Sequence, residues 1–299
     1  MKNQTKFISL KDHSVSGESF DLIYSQYDDI LETSPQPSAK DLPKYYQSED
    51  YISHTDTRRN LLEQVYHIIR KSALKKKLLL INSFDSDTSN SLTTSTSNSL
   101  STKEKKLLDV GCGTGDFLKT AKDNNWSVFG IEPNPDARQI ANLKTENSVF
   151  DIPKLLDFEE SSFDIITLWH VLEHLPKLEE HIQIFNSLLK PDGHLVIAVP
   201  NFKSYDANYY KKFWAAYDVP RHLWHFSQTG MKRLVESFGF KSQKTLPMIF
   251  DAFYVSLLSE KYKRGFMNPF MAFWIGLRSN LKAKRSGEYS SLIYTFKKS

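Results

Sequence analysis

The sequence contains a single cysteine, Cys112, among its 299 residues. One thiol cannot form a disulfide within the chain, and it excludes a zinc site built from several cysteines. The N-terminal segment lacks the apolar run of a secretion signal, and no stretch approaches the roughly 18 uninterrupted apolar residues of a membrane-spanning helix. We therefore expect a cytoplasmic protein in a reducing compartment.

A strong excess of either charge is also absent. The chain has 39 Lys and Arg residues against 35 Asp and Glu, a net charge of +4. This excess is too small to indicate a nucleic-acid partner, and none is expected. With 40% hydrophobic residues, a chain of this length can bury a sizeable core, as one large domain or as a domain with a smaller appendage.

One segment has almost no apolar residues to bury. Ser, Thr and Asn occupy 16 of the 21 positions between 82 and 102. Such a tract cannot offset its ordering entropy, so we predict a disordered loop, inert or carrying regulatory phosphorylation. It divides the chain into an N-terminal part, 1–81, and a main domain, 103–299.

In the main domain, short apolar runs alternate with amphipathic segments. The pattern predicts helices over 116–126, 135–145, 177–190 and 229–240, and strands over 105–111, 127–132, 148–150, 163–169 and 194–200. Strands that alternate with helices of about 10 to 15 residues are typical of a parallel sheet covered on both faces. The predicted fold is doubly wound α/β, with residues 290–298 as a strand near one edge of the sheet.

A glycine-rich loop follows the first of these strands. In "LLDVGCGTGDFL", Gly111, Gly113 and Gly115 lie between a strand and a helix, which is the context that a nucleotide-binding loop requires. Asp116 takes the place of the small residue of the dinucleotide fingerprint, and its charge disfavours a pyrophosphate at the helix N-terminus. Glu132 ends the next strand, where a carboxylate can accept hydrogen bonds from both hydroxyls of an adenosine ribose. A phosphate-free adenosine cofactor, S-adenosyl-L-methionine, satisfies both observations.

Three motifs together carry a family resemblance. "LLDVGCGTGDFL", "GIEPN" and "FDIITLWHVLEHL", in this order and spacing, resemble the class I S-adenosylmethionine-dependent methyltransferases. The resemblance is strongest to the methyltransferase-23-like branch that includes ubiquinone O-methyltransferases, and it covers about residues 103–245. It implies a seven-stranded, Rossmann-like sheet, mostly parallel with an antiparallel strand near one edge, and a helical N-terminal extension.

The resemblance also implies roles for individual residues in cofactor binding. The methionine part is expected near the glycine loop and the ribose near a carboxylate, with Asp151 for the adenine amino group and Asp157 as the competing candidate. We expect Cys112 to be a small packing residue. The full set expected to bind the cofactor is Asp109, Gly111, Gly113, Gly115, Glu132, Asp151 and His170.

His170, Glu173 and His174 spell H-x-x-E-H, the inverted zinc-protease pattern. The apolar strand before this turn and Pro176 after it leave no room for a long metal-binding helix, so we reject a protease. Two roles remain: a Glu-His pair that braces the turn, or a site for the methyl acceptor with His170 as general base.

The resemblance adds a metal-binding alternative. In small-RNA 2′-O-methyltransferases and some quinone O-methyltransferases, an acid-x-x-Glu-His turn binds a divalent ion. Here His170 takes the place of the leading acid. A neutral imidazole suits zinc or iron better than magnesium, and we expect no metal.

An aromatic and basic loop, 217–227, follows the fifth strand and is expected to overhang the acceptor pocket. Its arginine could pair with an acidic group of the substrate, and its tryptophan could stack on a ring. A lid that contacts only itself is the alternative. We assign catalysis to His170 and His222, and substrate binding to Asn201, Arg221, His222, Trp224 and His225.

Residues 250–277 are apolar and aromatic, interrupted by charges. They predict helices that connect the last two strands, or a surface for a lipid-linked substrate or peripheral membrane contact. In the N-terminal part, 56–77 predicts a helix, and 33–56 resembles a flap with tyrosines that closes over the cofactor.

The expected function is S-adenosylmethionine-dependent methyl transfer, most plausibly O-methylation of a small-molecule, lipid- or glycan-linked acceptor. Two alternatives stay open: a metal-assisted RNA 2′-O-methyltransferase, and a non-catalytic S-adenosylmethionine-binding protein. The sequence does not assign an acceptor or an oligomeric state.

Overall fold

A computed structural model describes residues 5–38, 40–46, 61–84 and 104–299. The predicted disordered loop, 82–102, lies outside the described residues except for its first three positions. The part of the predicted flap from 47 to 56 also lies outside them. The strands are β1 (Lys6–Lys11), β2 (Ser19–Tyr24), β3 (Ile30–Ser34), β4 (Lys106–Val110), β5 (Ser127–Ile131), β6 (Val149–Phe150), β7 (Phe163–Trp169), β8 (Leu189–Pro200), β9 (Trp224–Phe226), β10 (Phe240–Pro247) and β11 (Ser291–Lys298). The α-helices are α1 (Leu61–Ser83), α2 (Asp116–Lys122), α3 (Pro135–Thr145), α4 (Leu178–Leu188), α5 (Tyr205–Tyr210), α6 (Gln228–Glu236), α7 (Asp251–Arg264) and α8 (Pro269–Ser286).

Seven strands form the predicted sheet, in the order β10-β11-β8-β7-β4-β5-β6. The central strand β4 pairs in parallel with both β5 and β7. Leu107 and Leu108 of β4 are fully buried, because helices and loops cover both faces of a parallel sheet. The predicted doubly wound α/β fold, mostly parallel with an antiparallel strand near one edge, is confirmed.

Neighbouring strands of this sheet end together. Val110, the last residue of β4, lies opposite Ile131 of β5 and Leu168 of β7. The segments that follow these strands, which begin at Gly111, Glu132 and His170, therefore leave the sheet at its carboxyl edge. Ligands of open α/β sheets bind outside that edge.

The local signals that predicted the helices act as expected in α3. Pro135 begins the helix, and the side chain of Asn134 accepts hydrogen bonds from the N–H groups of Asp136 and Ala137. Glu146 ends the helix in a left-handed conformation. The predicted bounds, 135–145, are therefore confirmed.

Two differences from the predictions concern strands. The fifth predicted strand begins earlier than expected, since β8 starts at Leu189 and includes Pro191–Gly193, which we predicted as the end of a helix; Asp192 makes the sharp bend with φ 65°. The N-terminal part also contains β1, β2 and β3, which were not predicted, in addition to the helix that was.

These three strands join a second, antiparallel sheet with the order β1-β2-β3-β9. Leu31 of β3 lies opposite His225 of β9, so the pairing brings together segments about 190 positions apart. Leu10, Phe20, Leu22 and Leu31 are buried in a core cluster that also contains Trp214 and Tyr217. Burial on one face is what stabilises strands this short.

The described chain divides into two compact units. One comprises residues 1–54, 170–183 and 197–296, and the other comprises 55–169, 184–196 and 297–299. The predicted divisions at 81 and 103 stay predictions. Among the described residues, no helix is both long and apolar enough to cross a membrane.

Gly115 and Gly113 offer a matched test of packing around the glycine loop. Both have positive φ, 76° and 55°, so alanine at either costs about 1 kcal/mol of left-handed strain. A Cβ at Gly115 would also lie 2.8 Å from Cβ of Ala141, whereas one at Gly113 would meet no atom within 4 Å. We expect Gly115→Ala to lose roughly 1–3 kcal/mol more stability than Gly113→Ala in urea denaturation. Equal losses would contradict this packing.

Candidate functional site

The glycine loop is anchored to the end of β5. The N–H groups of Gly111 and Cys112 both donate to the carbonyl of Ile131, at 2.7 and 3.1 Å. Gly113 lies at the exposed side of the loop, where an added Cβ would meet only open space. A ligand can therefore approach the bare backbone there, as the sequence predicts.

Glu132 holds the loop through backbone hydrogen bonds. Its carboxylate is buried and accepts from the N–H of Gly113 and the N–H of Asn134, both at 2.8 Å. Burial raises the pKa of Glu132, although these two bonds oppose the shift. Each oxygen keeps a second lone pair, so the carboxylate can still receive the hydroxyls of a ribose.

Asp109 is the most perturbed acid of this region. It is buried in β4 and accepts a 2.6 Å hydrogen bond from the hydroxyl of Thr167. Burial raises the pKa of Asp109 to about 7, while Thr167 and the nearby Lys77 partly offset the effect. Burial, Asp109 and Glu132 also raise the pKa of the Cys112 thiol, which fits the predicted packing role and not a nucleophile.

The electrostatic argument from Asp116 is weaker than the sequence suggests. Burial alone would raise the pKa of its carboxyl, but ion pairs with Lys144, at 2.8 Å, and with Arg70 lower it. The carboxylate is thus neutralised by two cations within its own unit. It cannot by itself decide between an anionic and a cationic ligand.

The two candidates for adenine recognition are both exposed. Asp151 directly follows β6 and caps the next turn by accepting from the N–H of Ile152 at 2.7 Å. Asp157 ends that turn and lies 3.5 Å from Lys154. Asp151 keeps the better position, immediately after a strand of the parallel sheet.

His170 is the first residue after β7 and has a left-handed backbone, with φ 58°. Its Nδ1 lies 3.4 Å from Glu173 Oε1, and its Nε2 lies 3.1 Å from Asp251 Oδ2. Burial would lower the pKa of this imidazole, but the two carboxylates outweigh it and raise the pKa to about 10, even though 36% of the side chain is exposed. Two carboxylates around this ring favour its protonated form, which lacks the lone pair that a general base needs.

Two histidines, His174 and His222, lie beside the carboxylate of Glu173. Nδ1 of His174 lies 3.0 Å from the carbonyl of Arg221, and Nδ1 of His222 lies 2.9 Å from the carbonyl of Ala216. Because a carbonyl only accepts, we assign the protons to Nδ1 in both rings, which leaves a lone pair on each Nε2. Burial, reinforced by His174, keeps the pKa of His222 well below its usual value, so this ring stays neutral.

Glu173, His174 and His222 form what we call the acid–histidine cluster. Their potential ligand atoms lie within 4.8 Å of one another. Glu173 is almost completely buried, and among the described residues neither of its oxygens accepts a hydrogen bond. A buried carboxylate with unused lone pairs, next to two imidazole nitrogens, can accept a proton or coordinate a cation.

Backbone hydrogen bonds hold the two segments of this cluster together. The N–H of Leu223 donates to the carbonyl of Glu173 at 2.7 Å, and the indole of Trp224 donates to the carbonyl of Leu175 at 3.0 Å. The hydroxyl of Tyr46 lies 3.1 Å from Nδ1 of His174. The H-x-x-E-H string is a short turn, with Leu172–His174 as a 3-10 helix, and not a protease helix.

The residues predicted to bind substrate are mostly engaged inside the protein. Arg221 is buried; it pairs with Asp218 at 2.6 Å and Asp12 at 3.2 Å, and it donates to the carbonyl of Tyr45. These partners outweigh burial and keep the pKa of the guanidinium above its usual range. An arginine with its donors used in this way braces the loop and does not reach a substrate acid.

Asn201, Trp224 and His225 are likewise buried. The amide of Asn201 donates to Glu288 at 2.6 Å, and Nε2 of His225 lies 3.0 Å from the hydroxyl of Thr33. The self-contained lid that the sequence left as an alternative describes these residues better. Of the predicted substrate-binding set, His222 alone belongs to the acid–histidine cluster.

Residues 84–245, more than half of the chain, match the family described as a methyltransferase domain. The chain belongs to this methyltransferase family. The predicted recognition as a class I S-adenosylmethionine-dependent methyltransferase and the predicted cofactor are confirmed. The open backbone at Gly113 and the spare lone pairs of Glu132 fit that cofactor.

Named relatives align with only part of the methyltransferase. The ubiquinone biosynthesis O-methyltransferase of Glaesserella parasuis serovar 5 is 35% identical over 108 residues, which cover 32% of this chain and 46% of the relative. The enzyme of that name from Alkalilimnicola ehrlichii is 29% identical over 104 residues, 32% of this chain and 42% of the relative. The alignments thus span less than half of either relative.

A solved structure supports the fold of the methyltransferase. A protein from Galdieria sulphuraria, described as a candidate sarcosine dimethylglycine methyltransferase, superimposes with a TM-score of 0.50. It is 17% identical, and the match covers 78% of this chain and 86% of that protein. At this identity the likeness concerns the fold alone.

Sequence reasoning missed two kinds of residue in this enzyme. It did not select Asp251, which lies 81 positions after His170 in a helix that looks like a connection. It also left Glu173 and His174 out of the site, although the H-x-x-E-H string followed by a distant histidine pair was a usable signal. Which histidine of "RHLWH" joins the turn depends on strand β9 and cannot be read from spacing.

Asp109 generates a prediction about pH. Its folded pKa, about 7, lies above its ordinary value of 3.8, so the folded state binds the proton more tightly, and stability is lost as pH rises between these values. Asparagine keeps an acceptor for Thr167 without the charge. We expect Asp109→Asn to be more stable than wild type by a few kcal/mol at pH 8, with most of this difference gone at pH 5.

Urea denaturation at the two pH values measures this difference. Asp157→Asn is the control, since Asp157 is exposed and its replacement should change stability equally at both pH values. A difference in stability between wild type and Asp109→Asn that is the same at both pH values would contradict a folded pKa of about 7 for Asp109.

Proposed function

We propose that the enzyme transfers the methyl group to oxygen, on a small-molecule, lipid- or glycan-linked acceptor in the cytoplasm. The observation that carries the proposal is the acid–histidine cluster, a buried carboxylate beside two imidazoles. The relatives that align with the chain are named O-methyltransferases, which agrees with this choice.

A hydroxyl acceptor makes a demand that a neutral amine does not. When bound, S-adenosylmethionine supplies an activated methyl group, so the protein must align the acceptor, exclude water and remove the hydroxyl proton. His170 is unsuited to the last task because it is already protonated. His174 and His222 each present an Nε2 lone pair, and the adjacent Glu173 would stabilise the imidazolium that forms.

In this proposal His170 is a positioning residue. Its ring lies between Glu173 and Asp251 and fixes the orientation of the buried carboxylate. The predicted catalytic role of His222 is retained, whereas that of His170 is replaced.

On the cofactor side, we propose that the ribose hydroxyls bind to Glu132 and the methionine part to Asp109 and the glycine loop, Gly111–Gly115. Asp151 is proposed for the adenine amino group. These assignments rest on the fold position of each residue and on the open backbone at Gly113.

The acid–histidine cluster also favours a second candidate function, metal-assisted methyl transfer. Two imidazoles and one carboxylate are the donors that zinc and other divalent transition metals prefer over magnesium. A bound cation lowers the pKa of a coordinated hydroxyl, which would achieve the same deprotonation. The modest net charge of +4 gives no support to RNA as the acceptor of such an enzyme.

Glutamine at Glu132 tests the cofactor assignment. One amide oxygen can replace a carboxylate oxygen, but the NH2 group would face an N–H donor and cannot accept from it. We expect Glu132→Gln to bind S-adenosylmethionine at least about ten-fold more weakly in titration calorimetry. Glu146→Gln, at an exposed helix end, should bind like wild type. Unchanged affinity of Glu132→Gln would remove Glu132 from the site.

Labelled methyl transfer to cell extracts tests the acceptor atom. We expect the label in alkali-stable O-methyl products, and we expect Glu173→Gln to lose at least about ten-fold in rate while cofactor affinity is unchanged. Label found only on nitrogen would overturn the O-methylation proposal. Cofactor binding without any transfer would identify a non-catalytic binder.

Metal titration separates the two candidate functions. If the cluster binds a cation, the full chain should take up about one equivalent of Zn²⁺ more tightly than Mg²⁺. Glu173→Gln and His174→Gln should weaken that uptake at least about ten-fold, and His181→Gln, on the outer face of α4, should not. If methyl transfer continues after chelation and the protein contains no stoichiometric metal, metal-assisted transfer is excluded. His174 and His222 are then the proposed bases.

A further inference from the structure

The helical hairpin formed by α7 and α8 exposes an unusual number of large apolar side chains. Phe270 is 88% exposed, and several of its neighbours are more than half exposed. The set comprises Tyr254, Phe266, Phe270, Phe273, Trp274 and Leu281. Scattered apolar residues are normal on a protein surface, but a concentration of aromatic rings on one hairpin indicates a binding surface.

An ordinary surface helix buries its large apolar residues and exposes its polar ones. Helix α8 instead buries mostly small residues and exposes aromatic ones. Four of the six buried positions carry small residues, Ala272, Gly276, Ser279 and Ala283, and the other two carry Ile275 and Asn280. A Cβ at Gly276 would lie 2.7 Å from the ring of Phe253, so α7 and α8 pack closely through small residues. The aromatic residues face outward instead.

The outward residues of α8 follow helical spacing. Phe273 and Trp274 lie three and four positions after Phe270, and Leu281 lies seven positions after Trp274, so the four residues share one stripe of the helix. Since the buried face lies opposite, α8 carries apolar side chains on two opposite sides. Such a helix is expected where both faces meet an apolar medium.

The charge of the α7–α8 hairpin indicates which apolar medium it meets. Residues 249–287 contain seven Lys or Arg residues and two acids, an excess of five that exceeds the net charge of +4 of the whole chain. Both acids are engaged internally, because Glu260 pairs with Arg264 at 2.6 Å and Asp251 contacts His170. The exposed charge of the hairpin is therefore positive.

The basic residues lie beside the apolar stripe. Arg278, Lys282 and Arg285 follow one another at helical spacing and are exposed. Aromatic rings flanked by cations match a bilayer with anionic headgroups, since the rings enter the interface while the cations meet the phosphates. A second copy of the same hairpin would bring two positive surfaces together, which disfavours a dimer through this face.

We propose that the α7–α8 hairpin binds the surface of anionic phospholipid membranes. The helices lie in the plane of the interface, because no described helix is long and apolar enough to cross a bilayer. The surface is independent of the methyl-transfer chemistry. It would deliver the enzyme to acceptors that are dissolved in or tethered to the membrane.

Vesicle sedimentation of the full chain, without cofactor, tests the proposal. We expect binding to vesicles of phosphatidylcholine mixed with phosphatidylglycerol to be at least about ten-fold stronger than to phosphatidylcholine alone, and to weaken with salt. Phe270→Ser/Phe273→Ser should lose the binding by a similar factor. The matched control is Leu143→Ser/Leu156→Ser, which removes apolar side chains that are 83% and 74% exposed elsewhere.

Arg278→Gln/Lys282→Gln/Arg285→Gln isolates the charge and should reduce binding to the mixed vesicles only. Circular dichroism confirms that each variant is folded, as expected for changes at exposed positions. The proposal is overturned if the wild type does not bind mixed vesicles, binds both vesicle types equally, or keeps its binding after Phe270→Ser/Phe273→Ser. A wild-type dimer that this variant dissociates, without lipid binding, would assign the surface to a second copy.

Discussion

The ion pair network of His170 determines the geometry of the catalytic end of this enzyme. A single imidazolium, in a left-handed backbone conformation, lies between Glu173 and Asp251. A buried carboxylate without such a partner would be costly to ionise. His170 therefore places a positive charge 3.4 Å from Glu173 Oε1, where no described group donates a hydrogen bond to that carboxylate. It also joins the start of α7 to the turn after β7. The same imidazolium therefore contacts the helical hairpin through Asp251 and the acid–histidine cluster through Glu173.

Much of the fold follows from local patterns in the sequence. The apolar run of β4, the Asn134–Pro135 helix start and the glycine spacing of 111–115 each act through neighbours in the chain, and each was predicted with its location. Parallel strands buried on both faces give the least ambiguous signal of all. The cofactor half of the site therefore could be predicted from the sequence to the level of single residues, although contacts to the cofactor itself stay predictions.

The acceptor side could not be predicted in the same way. Arg221, Trp224 and His225 have the chemistry of substrate-binding residues, but β3 and Asp12 engage them from almost two hundred positions away. Whether a polar side chain serves a ligand or the protein depends on its partners, and those partners come from long-range pairing. His170 shows the same effect, since a carboxylate from α7 changes its expected role from base to cation.

The antiparallel sheet formed by β1, β2, β3 and β9 has a further consequence. Thr33 donates to the carbonyl of His222 and contacts His225, so a strand near the N-terminus sets the position of a histidine that we propose as a base. The shortest fragment that contains every methyltransferase motif, from the glycine loop onward, would lack that strand. The segment that carries the recognisable motifs is therefore shorter than the segment that forms the whole site. Relatives that share only the motifs are free to differ in what they methylate.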